Sequence, residues 1–293
     1  MNKDTIIKHI VCSGGGIAGF SYYGMLKECY NQGLWKIEDI ETIYGTSVGS
    51  ICAVVISLKY DWIILDDYLV KRPWQNVFKF DLYSIINSVE KRGIFGLETI
   101  KEILKPLLNG KNLSTDITLK EFYEHTKIEI HVFSTEITSF ELVDFSYKTH
   151  PNWKLIDVVY TSCSVPIIFS PLIKDSKCYC DGGLLLNYPL SKCIENGADK
   201  DEIIGLYCSI NENNDIISEK SSLLDYIIII LKKLICVFLP KTINSIKHEY
   251  TIESPIVSIY DIVSITNNTD ERTSLIEKGV DVIKSIFTST KEN

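Results

Sequence analysis

Ser47 lies between two glycines in the stretch Tyr44-Gly45-Thr46-Ser47-Val48-Gly49-Ser50, a Gly-x-Ser-x-Gly pattern. A serine hydroxyl becomes a nucleophile only when it is lifted clear of its neighbours and given a base. The residues before it, Ile40 to Tyr44, read as a short strand. Those after it, Val48 to Leu58, run apolar without a polar stripe and read as a buried helix. Strand, tight turn and helix around a serine make a nucleophile elbow, with Gly45, Thr46, Val48 and Gly49 forming the turn. A Cβ at Gly45 or Gly49 would clash with the neighbouring strand or helix. The turn also sets the hydroxyl at a helix N-terminus, where developing negative charge is favoured.

A second glycine cluster precedes this one. Ile6 to Cys12 is a β-branched run that reads as a buried strand, and it leads into Ser13-Gly14-Gly15-Gly16-Ile17-Ala18-Gly19. A helix from Phe20 to Gln32 follows, capped by Gly33. Consecutive glycines leave backbone N–H groups free to face an anion. Two uses compete. Gly14-x-Gly16-x-x-Gly19, with Glu38 downstream, fits a dinucleotide fingerprint and would make the chain a flavin- or NAD-binding oxidoreductase. Alternatively the loop is an oxyanion hole facing the serine of the neighbouring elbow. Only the second use gives Ser47 a task.

The serine needs a base. Of the five histidines, His9, His125, His131, His150 and His248, none lies in a glycine- or proline-shaped loop that would present it. The usual α/β-hydrolase order of Ser, Asp/Glu and His also expects more strands before the elbow than this chain offers. Asp181 fits better. It stands in Asp181-Gly182-Gly183 after the short strand Cys178 to Cys180, a presented carboxylate with room for a close neighbour. A carboxylate takes a serine proton directly where the site is dry enough to raise its basicity.

Taken in order, four motifs resemble the patatin-like phospholipases over roughly residues 7 to 210. They are Gly14-Gly15-Gly16-x-x-Gly19, Gly45-Thr46-Ser47-Val48-Gly49, Ser162-Cys163-Ser164-Val165-Pro166 with Phe169 and Pro171, and Asp181-Gly182-Gly183 followed by Asn187-Tyr188-Pro189. The resemblance implies an α/β fold, a three-layer α/β/α sandwich around a mostly parallel sheet. It implies a Ser–Asp dyad without histidine: Ser47 as nucleophile, Asp181 as base, and Gly14, Gly15, Gly16 and Ile17 around the oxyanion. The substrate class is phospholipid or another acyl lipid, with no metal and no cofactor. The family usually carries Arg or Lys where this chain has Ala18, which bears on substrate preference rather than on reaction type. A non-catalytic lipid-binding relative is the remaining alternative, and the presence of both Ser47 and Asp181 argues against it.

The elements that must position these residues belong to a chain of 293 residues with 45% hydrophobic content, enough for one large α/β domain. No linker divides it. Residues 1–210 read as the catalytic domain, and residues 211–293 as a helical extension packed on the same domain. A formal net charge of −8 and the absence of a basic tract exclude non-specific nucleic-acid binding. The N-terminus lacks a signal-peptide core, and no run of apolar residues is long enough to span a bilayer. Nine scattered cysteines suggest reduced thiols and a cytoplasmic setting, and Cys178-x-Cys180 lacks the second pair that a zinc site needs. In the extension, Leu224, Ile227, Ile228, Leu231, Leu234, Ile235 and Phe238 form an apolar stripe at helical spacing. Ile229, Ile230 and Val237 share the other side with Asp225, Lys232 and Lys233. The helix is then either a core helix or, with Lys241 and Lys247, a peripheral membrane contact over residues 223–247.

Overall fold

The computed structural model describes residues 5–79, 88–210, 217, 219, 223–238, 246–254 and 259–291. In chain order the elements are β1 (His9–Cys12), α1 (Ala18–Asn31), β2 (Thr42–Thr46), α2 (Val48–Ser57), α3 (Trp62–Lys71), β3 (Gly93–Phe95), α4 (Leu97–Gly110) and α5 (Leu119–Thr126). Then come β4 (Glu129–Glu136), β5 (Glu141–Phe145), α6 (Leu155–Cys163), β6 (Ile167–Phe169), β7 (Leu172–Lys174), β8 (Lys177–Asp181), α7 (Leu190–Glu195) and β9 (Ile203–Ile210). The last are α8 (Leu223–Phe238), β10 (His248–Ser254), α9 (Ile259–Asn267) and α10 (Thr269–Lys291). Thr118 opens α5 with a capping box, its side chain accepting from Glu121 N–H while the Glu121 carboxylate accepts from Thr118 N–H, the exchange expected of Thr-Leu-Lys-Glu.

The central sheet runs β10-β9-β1-β2-β4-β8-β7, with β5 also on β4. Strands β10, β9, β1, β2 and β4 pair in parallel. Parallel strands need cover on both faces, and every residue of β1 and β4 is buried. Alternate residues supply two cores. Ile10, Cys12 and Ile43 join the larger one with Tyr22 of α1, Val54 of α2 and Val158 of α6. Val11, Tyr44 and Phe133 join the smaller one with Tyr188, Leu190 and Cys193. The result is the three-layer α/β/α architecture with a mostly parallel sheet that the motifs led us to expect.

The segment after residue 210 differs from its helical reading by one strand. β10 adds a parallel edge to β9, burying Tyr250 and Ile252 while Glu249, Thr251 and Glu253 face out. Two inward apolar residues are too short a period-two signal to stand out in sequence. α10 packs on α1 almost backbone to backbone: a Cβ on Gly24 would fall 2.1 Å from Ile276 O, and one on Gly279 2.1 Å from Ser21 O. Among the described side chains of α8, Ile228 and Ile229 are buried, whereas Leu223, Tyr226, Ile230 and Leu234 are exposed. Ile229, placed on the polar side by spacing, is thus inside, and Leu234, placed on the core stripe, is outside. The side chains of Leu224, Asp225, Lys232, Ile235, Val237 and Phe238, and all of Lys241, lie outside the described residues. Among the described residues no helix is long and apolar enough to cross a membrane.

Candidate active site

The elbow forms because β2 has nowhere to continue. At Ser47 the backbone turns to φ 55° and ψ −125°, a conformation that costs a non-glycine residue energy and persists only when its surroundings hold it. A Cβ on Gly45 would fall 2.3 Å from Gly49 O, and one on Gly49 2.3 Å from Cys12 O, so the turn is pressed against itself and against β1. The Ser47 carbonyl accepts from Ser50 N–H at 2.8 Å and from the Ser50 hydroxyl at 2.6 Å. Thr46 ties the turn to the loop after β8, its hydroxyl donating to Leu186 O at 2.9 Å.

Strand β4 brings Asp181 to Ser47. Val132 and Phe133 pair with Gly45 and Thr46 of β2 on one edge and with Phe145 and Asp144 of β5 on the other. Ser134 to Glu136 pair with β5 and with β8, so β8 occupies the same edge as β2, running the opposite way. The two strands meet end to end: Thr46 opposes Phe133, and Asp181 opposes Ser134, the next residue along. Ser47 therefore leaves β2 at the point where Asp181 arrives.

Asp181 is buried. Its Oδ1 accepts from Gly183 N–H at 2.7 Å, and its N–H donates to Ser164 O at 3.0 Å. Its Oδ2 is buried without a donor at hydrogen-bonding geometry. Burial pushes the carboxyl up to about 6, against the smaller opposing pull of the Ser47 hydroxyl and of Gly183 N–H. The Ser47 hydroxyl favours the charged form of Asp181, although Oδ2 has no completed hydrogen bond. Among the described residues no cation offsets the desolvation, so the carboxylate is more basic than usual while remaining ionised at neutral pH.

The glycine loop lies against the serine: a Cβ on Gly14 would fall 3.2 Å from Ser47 Cβ and 2.4 Å from Asn187 Oδ1. Gly14 N–H itself donates to Asn187 O at 3.0 Å, which removes it from the set of anion donors expected from sequence. Among the described residues Gly15, Gly16 and Ile17 have no recorded intramolecular acceptor for their N–H groups, and Gly16 adopts φ 55°. Val48 N–H, at the start of α2, faces no helical partner either. Ser13 anchors the loop from behind: its hydroxyl bonds Tyr22 OH at 2.6 Å and accepts from Cys208 N–H at 3.0 Å. Ala18 is buried at the first position of α1, so a methyl group fills the place of the family's cation.

Two rival arrangements lose their footing. Glu38 is exposed in a short helical turn before β2, at the opposite end of the strand from the glycine loop, whereas a ribose-binding acid must sit near that loop. Described hydrogen bonds from histidine rings go to Thr42, Asp144, Thr149 and Tyr250, none to Ser47. Sequence reasoning gave no task to Asn187. Its backbone carbonyl and its side-chain amide, which donates to Gly14 O at 3.4 Å, lock the glycine loop beside the Asp181 turn. Its spacing after Asp181-Gly182-Gly183 was the available signal, but which backbone it would meet depends on the β8 pairing.

Known proteins place this geometry. The patatin-like phospholipase family profile matches residues 10–194. The "Uncharacterized protein R571" of Acanthamoeba polyphaga mimivirus is 26% identical over 214 residues, covering 73% of this chain and 69% of that protein. The "Probable lipid hydrolase 463L" of Invertebrate iridescent virus 6 is 30% identical over 195 residues, covering 66% of this chain and 65% of that protein. The crystal structure of VipD from Legionella pneumophila shares the fold, with a TM-score of 0.53 at 16% identity over 97% of this chain and 67% of that one. With a family match over most of its length and each motif set in one site, the chain belongs to the patatin-like phospholipase family.

Proposed function

We propose that the chain is a lipid acyl hydrolase in which Ser47 and Asp181 form the catalytic dyad. The reaction class follows from family membership, and the geometry of the site supports the residue roles. Ser47 Oγ attacks the ester carbonyl carbon while its proton passes to Asp181 Oδ2. The N–H groups of Gly15, Gly16 and Val48 hold the oxyanion, with Ile17 N–H at the loop's end. Collapse of the tetrahedral intermediate breaks the C–O bond, and Asp181 returns the proton to the leaving alcohol. Water, deprotonated by Asp181, then hydrolyses the acyl-serine and releases the fatty acid. The observation that carries this reading is the buried, cation-free carboxylate on the rung next to a serine held at φ 55°. A fluorophosphonate probe tests it: labelling at Ser47 in the folded protein, absent in Ser47→Ala, is the expected outcome. Absence of labelling in folded wild-type protein, or equal labelling of the variant, refutes it.

The substrate is presented at a membrane surface, and the exposed side of α8 supplies the peripheral contact. Leu223, Tyr226, Ile230 and Leu234 recur at i, i+3, i+7 and i+11 and are all exposed, with Lys233 and Lys247 exposed as well. Cys12, Cys29, Cys52, Cys163, Cys178, Cys180 and Cys193 are free thiols, which fits a cytoplasmic setting. Ile230→Asp combined with Leu234→Asp is expected to lower binding to and hydrolysis of anionic liposomes while sparing a soluble ester. Equal loss of both activities together with melting temperature contradicts the contact.

A further inference from the structure

The last turn of α6, Ser162-Cys163-Ser164, has no role in the chemistry described above, yet it touches both halves of the dyad. Ser162 is fully buried. Its hydroxyl accepts from the backbone N–H of Ser47 at 2.9 Å and donates to Phe133 O at 2.6 Å. Two residues on, the Ser164 carbonyl accepts from Asp181 N–H at 3.0 Å. Phe133 is the β4 residue opposite Thr46, one rung before the residue opposite Asp181. One helix end therefore holds the nucleophile's backbone, the base's backbone and the strand between them.

We infer that Ser162 is a positioning residue that fixes the strained backbone of Ser47, resting on the assignment of Ser47 as nucleophile. The β2 ladder to β4 stops at Thr46, so the Ser47 N–H has no strand carbonyl to meet. A buried N–H without an acceptor and a backbone at φ 55° are each costly, and relaxing the turn would relieve both. The Ser162 hydroxyl removes the first cost only while the turn keeps its shape. It also requires a group that accepts and donates at once, which a hydroxyl does and an alkyl side chain does not. The base is held through the main chain of Ser164. Its own hydroxyl points elsewhere, donating to Tyr160 O at 2.6 Å one helical turn back. Ser164 is thus an internal control, a serine equally buried in the same turn whose hydroxyl does not reach the dyad.

The test compares Ser162→Ala, Ser164→Ala and Ser47→Ala on a soluble ester, with fluorophosphonate labelling rate and melting temperature measured alongside. Misplacing a nucleophile by about 1 Å costs on the order of 100-fold. Ser162→Ala is accordingly expected to lower kcat and labelling rate by roughly 10- to 100-fold with KM changed by less than about 2-fold. Ser164→Ala should stay within about 3-fold of wild type, since it leaves the dyad's contacts in place. If Ser162→Ala does not fold, Ser162→Cys keeps the size and weakens both bonds, and it carries the same prediction. Wild-type kcat in a folded Ser162 variant, or an equal fall in Ser164→Ala, overturns the inference. Turnover retained in Ser47→Ala overturns the nucleophile assignment instead, so the two failures are distinguishable.

Discussion

Two sets of carboxylates on the same sheet, half-buried Asp144 with buried Glu129 on one level and buried Asp181 on another, are treated in opposite ways. At the lower level His131, opposite Tyr44, lies between Asp144, both of whose oxygens are 3.0 Å from Nδ1, and Glu129, 3.3 Å from Nε2. Lys148 reaches Glu129 at 2.7 Å, and the His131 ring stacks on Tyr44 at 4.3 Å. Burial pulls His131 down, but the bonds to Asp144 and Glu129 outweigh it and raise it to about 9. For Glu129 too the burial penalty is outweighed, by His131 and Lys148, and its pKa falls. Opposite Ser134, three residues further along β4 and roughly 10 Å away, Asp181 receives no cation among the described residues and is pushed up to about 6. The Asp–His pair that looks like part of a triad is a neutralised structural cluster. The isolated carboxylate is the one we propose as the base. Where the fold neutralises a buried acid it gains a fixed scaffold, and where it withholds a partner it keeps a base.

This contrast can be broken in four ways, beginning with the largest effect. Asp181→Asn should lower kcat by about 10²- to 10⁴-fold with the fold intact by circular dichroism, because an amide fills the space without accepting the proton. No folded single histidine variant should lose as much, and one that did would transfer the base to that histidine. His131→Gln should do the reverse. Removing one partner of a buried ion cluster costs about 3–5 kcal/mol, read in urea unfolding, while kcat per folded molecule stays near wild type.

The pH dependence separates the two regions further. Both groups have folded-state pKa values above their unfolded ones, so both lose stability as pH rises, in different windows. The Asp181 contribution is present below 3.8 and is lost as pH climbs through about 6, whereas that of His131 is present below 6.5 and is lost through about 9. Asp181→Asn should abolish the lower window in a melting-temperature titration and gain up to about 3 kcal/mol over wild type at pH 7 to 8. His131→Gln should abolish the upper one. In wild-type protein kcat/KM should rise through pH about 6 as Asp181 ionises, by about tenfold per unit below it. A flat profile from pH 4 to 8 would remove Asp181 as the base. The smallest expected effect is that of EDTA on turnover of a soluble ester, which should be nil. Activity lost to the chelator and restored by metal would replace the dyad chemistry with metal chemistry.

The parts of the candidate site that were legible in sequence are those set by local sterics. Gly45-x-Ser47-x-Gly49 and Asp181-Gly182-Gly183 announce backbones with no room for a Cβ, and a Cβ added at Gly45, Gly49 or Gly182 would indeed fall 2.3 Å from a neighbouring carbonyl oxygen. The β-branched run from Ile6 to Cys12 likewise marks β1. What sequence does not carry is which edge a strand takes. That β8 lies antiparallel in line with β2 is decided by the pairings of both strands with β4, between residues far apart in sequence, and the engagement of Gly14 N–H by Asn187 follows from it. The face of α8 was misplaced for a related reason: Ile229 and Leu234 have equal apolar character, and only the neighbours choose between them. Strand β10 was missed because its inward residues are few.

The end-to-end arrangement of β2 and β8 along one edge of β4 also bears on what kinds of change a lineage of such enzymes tolerates. Because the two strands are read against a single ruler, insertions in the loops beyond them, such as the turn between β7 and β8, leave the reacting atoms in place. A one-residue deletion within β4 between Val132 and Thr135 does not, since it slides the rung under Asp181 while leaving the one under Thr46, and it turns the following side chains to the other face. Diversity in length should therefore accumulate everywhere except in that short stretch, where substitutions are admissible and gaps are not.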